Sequence, residues 1–285
     1  METGNNKIKL NHQLVDEAFD PKSASSQHLS IQLGLDGLSF CIRANNKFQL
    51  LKSYSFSRIF NWQQLSDEAE SLLKIEEIAE KKYQAVHISI VHQIFSLIPA
   101  PLFDPLNQKD YLKLNAEFDQ KSQIINELIR AIDARNIFAL PGALEKMLNR
   151  NFGACKISHH TSILLESVFS LYKNSNEPQL IVNVNQGSFD ILLIAENKLH
   201  FCNSFKYHAD EDIAYYLLFT CEQLKLNPEN INITLAGQIE KTSTLFELLS
   251  KYLRNLKFIK RPANYDYSYK FNEAQGHLFY GLLNL

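Results

Sequence analysis

Few side chains of this 285-residue chain stand at spacings that chemistry would need. His87 and His92 bracket the apolar run VHISIV (86–91), and their odd separation puts them on opposite faces of a strand, which argues against a shared metal. His159 and His160 stand near a helix start, where they could mark a site between lobes; a pair of polar residues opening a helix is the commoner explanation. Glu166 and Glu222 fall in amphipathic helical patterns with no visible catalytic partner. Cys41, Cys155, Cys202 and Cys221 are scattered without Cys-x-x-Cys spacing, so neither a zinc site nor a disulfide framework is indicated. No Ser/His/Asp or Cys/His arrangement can be assigned from spacing. What remains are acids and glycines at tight turns: Asp36-Gly37 in one half of the chain, Gly187 with Asp190 in the other.

The elements that position these turns read as strand meanders. LSIQLGL (29–35), LSFCIRA (38–44) and KFQLLKSYSF (47–56) alternate and are joined by the pairs Asp36-Gly37 and Asn45-Asn46, which tolerate positive φ. A helix is predicted over 62–82 and a buried strand over 86–91. FSLIPAPLF (95–103) reads as an edge strand because of its prolines. A helix near 105–116, strands near 121–131 and 136–140, a helix with Pro141 in its first turn, a strand near 154–158 and a helix from Ser158 to Tyr172 follow. After KNSNEP (173–178) the opening order returns: strands 178–185, 188–195 and 198–207, helix 209–225, strand 231–237, helix 242–254, strand 256–259 and a final helix near 273–283.

A shift of 151 positions lays the first meander on the second without a gap, carrying Asn46-Lys47-Phe48 onto Asn197-Lys198-Leu199. Leu29 then meets Leu180, Ala44 meets Ala195 and Ser53 meets Ser204. Strand period alone produces the apolar coincidences. The repeated Asn-Lys turn, in register with the rest, points to a duplicated unit.

On these residues the chain resembles actin-like ATPases. LIVNVNQGSFDILLI (180–194) is similar to the second phosphate-binding hairpin of the heat-shock chaperone ATPases, where an Asp leads into a glycine-rich turn and then Thr-Phe-Asp. Asn183 stands at the Asp position, Asn185 and Gln186 replace two glycines, Gly187 keeps the third, Ser188 replaces Thr, and Phe189-Asp190 are retained. IQLGLDGLSFCI (31–42) resembles the first phosphate loop, with Gln32 at the Asp position and Gly34 keeping a glycine. LAGQIEKTSTLFELL (235–249) resembles the adenosine-side segment, with Gly237 kept and Gln238 at the second glycine. The layout is also similar to actin-like pilus-assembly and cell-division proteins. LSIQLGLDGLSFCI, SLIPAPLF and HLFYGLLNL look like an uncharacterised bacterial domain family assigned this fold.

The resemblance implies an α/β chain with a duplicated ribonuclease-H-like (actin-like ATPase) fold and two lobes of mixed sheets. The expected division is a polar leader over 1–27, an N-terminal lobe over 28–157 and a C-terminal lobe over 158–285. The implied ligand cleft gathers Gln32, Gly34, Asp36, Gly37, Asn183, Asn185, Gln186, Gly187, Ser188, Asp190, Gly237 and Gln238. Neutral Gln32 and Asn183 cannot act as bases and are weak ligands for Mg²⁺, so no catalytic or metal-ligating residue is expected. Mg-ATP binding without hydrolysis is compatible with this pattern. The expectation is a non-catalytic interaction or scaffold module. An active ATPase or sugar-kinase-like enzyme using displaced acids, and a structural subunit of a pilus or secretion-type assembly, stand as alternatives.

A net charge of −2 gives no basic face for nucleic acid, and Lys251, Arg254, Lys257, Lys260 and Arg261 read as a solvated face. No apolar run reaches the length of a membrane span and the first residues lack a signal-peptide core, so the expected setting is cytoplasmic, with a protein partner. The aromatic run PANYDYSYKF (262–271) is either an edge strand or a protein-contact patch.

Overall fold

The structure is a computed structural model and describes residues 8–57 and 61–285. Contacts divide the chain into two units. The first comprises 1–164, 263–274 and 282–285, and the second 165–262 and 275–281.

In the first unit β1 (Ile8–Val15), β2 (Gln27–Gly34), β3 (Gly37–Ala44), β4 (Lys47–Phe56), β5 (Ala85–Val91) and β9 (Lys156–His159) form a sheet in the order β1-β4-β3-β2-β5-β9, with β15 (Asp266–Tyr267) paired to β4. β5 runs parallel to β2 because α1 (Trp62–Ile75) supplies the crossover. The Asn61 side chain caps that helix by accepting from the Gln64 amide at 3.0 Å, worth ~1 kcal/mol. Leu65, Ala69, Leu72 and Leu73 bury its apolar face, and each leucine contributes roughly 1.5–3 kcal/mol. A three-stranded sheet of β6 (Phe95–Pro99), β8 (Ala134–Leu140) and β7 (Gln123–Ile129) carries α2 (Gln108–Lys113), and β6 lies at its edge as its prolines predict. α3 (Gly142–Phe152) packs beside α1.

The second unit is built from β10 (Gln179–Asn185), β11 (Ser188–Ala195), β12 (Lys198–Lys206), β13 (Asn232–Gly237) and β14 (Asn255–Phe258), ordered β12-β11-β10-β13-β14. α5 (Asp210–Gln223) and α6 (Thr244–Tyr252) bury Ile213, Leu217, Leu245 and Leu249 in its core. The division between units falls within α4 (His160–Tyr172).

The two meanders match in detail. Gly34 faces Gly37 and Asn185 faces Ser188, 151 positions on. The β3–β4 register slips between Ile42 and Arg43, and the β11–β12 register slips between Leu193 and Ile194, again 151 positions on. Asn45 and its counterpart Glu196 both take left-handed φ, 52° and 51°. A shared hydrophobic period would not place the same bulge and the same turn residue twice.

Several expectations are corrected. The leader over 1–27 is not featureless: Ile8–Val15 is a strand on β4, and the Gln27 side chain bonds the Asp20 carbonyl; residues 1–7 lie outside the described residues. Helix α1 stops at Ile75 because Glu77 turns left-handed at φ 54°. Pro141 precedes α3 as its N-cap residue, and β9 runs through Ser158, so α4 opens at His160. The helix expected over 273–283 is a 3-10 turn at Tyr269–Glu273 followed by α7 (Tyr280–Leu283). Between them His277 offers its carbonyl to the Gly237 amide at 2.9 Å, which needs an open backbone. The final residues are also shared between both units rather than belonging to one half.

Candidate functional site

In the second unit the hairpin β10–β11 sets Asn183 directly opposite Asp190, and β12 sets Ser204 opposite Asp190 on the other side. Asp190 is 1% exposed. Its Oδ2 accepts from Asn183 Nδ2 at 2.9 Å and from Asn185 Nδ2 at 3.3 Å, and its Oδ1 accepts from Ser204 Oγ at 2.6 Å. Both oxygens of the retained acid are therefore engaged by neutral donors. The amide at position 183 does what a carboxylate could not: it donates to Asp190, where a second acid would repel it.

The turn beside this ladder keeps its glycine for a geometric reason, since Gly187 has φ 74°. Its carbonyl accepts from the Tyr207 amide, and the Tyr207 hydroxyl donates to the Asn185 carbonyl at 2.9 Å. Gln186 is exposed and Ser188 half-buried. Gly237 closes β13 at φ 78°, where a Cβ would stand 2.1 Å from the Val184 carbonyl oxygen. The amide of Gly237 is bonded to the His277 carbonyl and that of Gln238 to the Val184 carbonyl, at 2.9 and 2.7 Å. His277 stacks on Phe258 with 4.2 Å between ring centres, and its Nε2 bonds the Ile239 carbonyl oxygen at 2.6 Å. The backbone donors of the adenosine-like segment are thus spent inside the unit.

In the first unit the same ladder positions hold Gln32, Ser39 and Ser53. Gln32 faces Ser39 across β2–β3 and Ser89 across β2–β5. Ser39 Oγ lies 2.8 Å from Ser53 Oγ, the counterpart of the Asp190–Ser204 bond. A Cβ on Gly34 would displace the Asp36 carboxylate, whose Oδ1 stands 2.3 Å from that position, whereas Gly37 is required because a Cβ would meet the backbone carbonyl oxygen of Tyr54 at 2.2 Å. Gly37 serves close approach to β4, and no residue from Gly34 to Gly37 has a positive φ. Asp36 folds back over Gly34 and its carbonyl accepts from the Phe56 amide at 2.8 Å. Of the twelve residues named from the sequence, Gln32, Gly34, Asp36 and Gly37 lie in the first unit, and the other eight lie in the second, where Gly237 and Gln238 close β13 rather than the β10–β11 turn.

The histidines separate by environment. His87 Nε2 lies 2.9 Å from Ser158 Oγ. His159 is fully buried, its ring centre 4.7 Å from His92, 4.5 Å from His160 and 5.2 Å from Phe138, with Nε2 on the His92 carbonyl. Burial pushes the His92 imidazole down to about 3 and His159 well below its usual range. Glu127 anchors this end of α4 by accepting from the His159 amide at 2.9 Å and Ser162 Oγ at 2.7 Å. Among the described residues no group of three or more His, Cys, Asp and Glu is placed to hold a metal ion.

Ser39 and Ser204 were not among the sequence candidates. The signal for the second was present: Ser53 and Ser204 are a polar identity under the 151-position shift, beside the repeated Asn-Lys turn.

Residues 16–256 match the family described as "Protein of unknown function (DUF3822)". None of the curated proteins compared matches the sequence. Among solved structures, a protein from Bacteroides thetaiotaomicron VPI-5482, described as having an actin-like ATPase fold and unknown function, aligns at TM-score 0.79 and 22% identity. The alignment covers 94% of this chain and 99% of that one. The PilM–PilN type IV pilus biogenesis complex aligns at TM-score 0.62 and 13% identity, covering 90% of this chain and 97% of that one. At these identities the likeness is one of fold, and the fold is that of the actin-like ATPases.

Proposed function

From the premise that this chain belongs to the family described as Protein of unknown function (DUF3822), we propose that it is a non-catalytic actin-like protein working as an interaction or scaffold module. One observation carries the proposal. The retained acid of the second hairpin is buried and holds three neutral side-chain donors, so it is occupied as a structural hub.

The residues present do not fit Mg-ATP. A hydrated Mg²⁺ wants carboxylates free to face its water shell, whereas Asp190 is committed inward and positions 32 and 183 carry amides. The Gly237 and Gln238 amides already have carbonyl partners. Charge neutralisation supplies much of the barrier reduction in phosphoryl transfer, and here the side chains that would supply it are neutral. A fold relative solved in a complex supports assembly over hydrolysis as the use of this scaffold. No helix among the described residues is long and apolar enough to cross a membrane.

Phosphate release from Mg-ATP, measured on the wild type and on Asp190→Ala, tests this reading. The expected outcome is background release from both. Turnover by the wild type that disappears in Asp190→Ala would show a working acid and overturn it. Tagged protein expressed at native level is expected to copurify with one recurring protein in stoichiometric amount; recovery as a lone chain would count against the scaffold role.

A further inference from the structure

The outer edges of the two meanders differ. In the first unit the edge of β4 is covered along its length: β1 pairs antiparallel with residues 50–56, and β15 pairs with Lys47 and Phe48. β12, the counterpart of β4 under the 151-position shift, ends its sheet and pairs with β11 alone among the described residues. Tyr207 gives its amide to the Gly187 carbonyl on the β11 side, so the alternation of an antiparallel ladder turns the backbone groups of Cys202, Ser204 and Lys206 outward. The Ser204 amide agrees with that direction, since its acceptor is the Asn203 side chain of its own strand, Oδ1 at 2.9 Å. A nine-residue strand with such a row open is a template for a further strand.

The covered edge shows what the open one would accept. Asp16 follows β1 directly, gives its amide to the Gln49 carbonyl at 2.7 Å and holds Lys47 Nζ on Oδ2 at 2.7 Å. The covering strand therefore ends in an acid placed on the lysine that opens β4. Lys198 is the counterpart of Lys47 in the repeated Asn-Lys turn. It is exposed, as is Lys206 at the far end of β12, and neither has an ion-pair partner among the described residues. β12 carries Lys198, His200 and Lys206 and no acid, so a second copy of itself would bring like charge to like. Beside the strand, Phe205 stacks on Tyr216 of α5 at 4.9 Å between ring centres. Tyr215 and Phe219, 61% and 44% exposed, extend that aromatic row. Alternate apolar side chains of an added strand would find cover there.

We propose that the outer edge of β12 takes up an extended segment of a partner protein, antiparallel to β12, with alternating apolar residues and an Asp or Glu at its C-terminal end that pairs with Lys198. This assignment, which rests on the chain being an interaction module, names the face the partner uses and the chemistry that selects it.

Because the two edges are duplicates, the first unit's own covering strand supplies the probe: the synthetic peptide IKLNHQLVD (8–16), and the same peptide with Asp16→Lys. Each is titrated into the full-length protein labelled for amide NMR. Saturable shifts are expected at Cys202, Ser204 and Lys206, with the acidic peptide bound about fivefold more tightly, the scale of one exposed ion pair. Lys198→Glu is expected to invert that order. Lys206→Pro, which removes an outward amide, is expected to weaken both peptides about tenfold. Absence of shifts at β12, shifts confined to β1 and β4, or a preference for the acidic peptide that survives Lys198→Glu would each overturn the proposal. Self-association abolished by Lys206→Pro would give the edge to a second copy and overturn it as well. Should Lys206→Pro fail to fold, the inversion in Lys198→Glu decides alone. A stoichiometric partner that copurifies equally with wild type and Lys198→Glu, while the peptides fail, would sink the edge and leave the interaction module standing.

Discussion

At the scale of single residues, the second hairpin illustrates how a site can keep its acid and lose its chemistry. Asp190 organises Asn183, Asn185 and Ser204, so removing it strands three buried or half-buried donors at once. Asp190→Ala is expected to destabilise the protein by roughly 3 kcal/mol in urea unfolding, because each unsatisfied donor keeps its desolvation cost. The serine partner of Ser204 in the first unit, Ser53, bonds only another serine, and Ser39→Ala is expected to cost under about 1 kcal/mol. This asymmetry was half legible beforehand: residue types revealed the missing carboxylates, while only coordinates reveal that Asp190 faces its neighbours. A second prediction concerns the buried imidazoles. His92 and His159 are held neutral in the fold, below the ordinary histidine range, by burial and by His160, while Glu127 bonds the His159 amide. The unfolded chain therefore binds more protons than the folded one below about pH 6.5, and stability is lost as pH falls from there toward about 3. Each such histidine contributes a slope of about 1.4 kcal/mol per pH unit. Unfolding free energy measured between pH 7 and pH 5 is expected to fall less steeply in His92→Leu, and a slope unchanged by that substitution would refute the assignment.

At the scale of elements, turns and bulges distinguish a duplicated unit from a merely similar pattern. Gly37 and Gly237 occupy the same kind of place, where strand backbone comes too near for a Cβ. Gly153 ends α3 at φ 58° with open space around it. Gly37→Ala and Gly237→Ala are each expected to cost roughly 2–4 kcal/mol, since backbone must move, whereas Gly153→Ala meets no atom and is expected to cost roughly 1–3 kcal/mol of backbone strain alone, because φ 58° with ψ −116° lies outside the left-handed helical region. Thermal unfolding of the three variants orders them. The strands of both meanders were legible to within a residue or two because period and turn residues agree there. The end of α1 was not. Glu77 takes left-handed φ, 54°, with a side chain that does not advertise it, so the stop after Ile75 carries no glycine signal, whereas α5 ends within two residues of its expected bound. Nor was β1 legible, because the alternation of Ile8–Val15 is polar on its exposed face and its partner β4 lies more than thirty residues further on.

At the scale of the whole molecule, the end of the chain is tied into both units, which a reading in two successive halves could not foresee. The alternating aromatics of 265–271 turn out to serve the first unit: Phe48 packs against Tyr265, Tyr267 and Phe271 at 5.2, 5.4 and 6.2 Å between ring centres, and β15 pairs with β4. Tyr269 alone is largely exposed, with its hydroxyl on Glu17. Phe271 is 3% exposed, and Phe271→Ala is expected to cost about 3 kcal/mol through the cavity it leaves. If unfolding of the first unit is cooperative, that loss reaches strands which Phe271 never touches. Amide exchange of β3 and β4 is therefore expected to accelerate about 100-fold in this variant, the equivalent of the same free energy. A chain ending at Pro262 removes β15, Phe271 and the buried Leu282 and Leu283 together, and is expected to leave β4 exchanging at the rate of an unfolded segment. Protection of β4 unchanged in that truncation would mean that the returning segment decorates the unit without holding it, and the assignment of 263–274 to the first unit's core would fail.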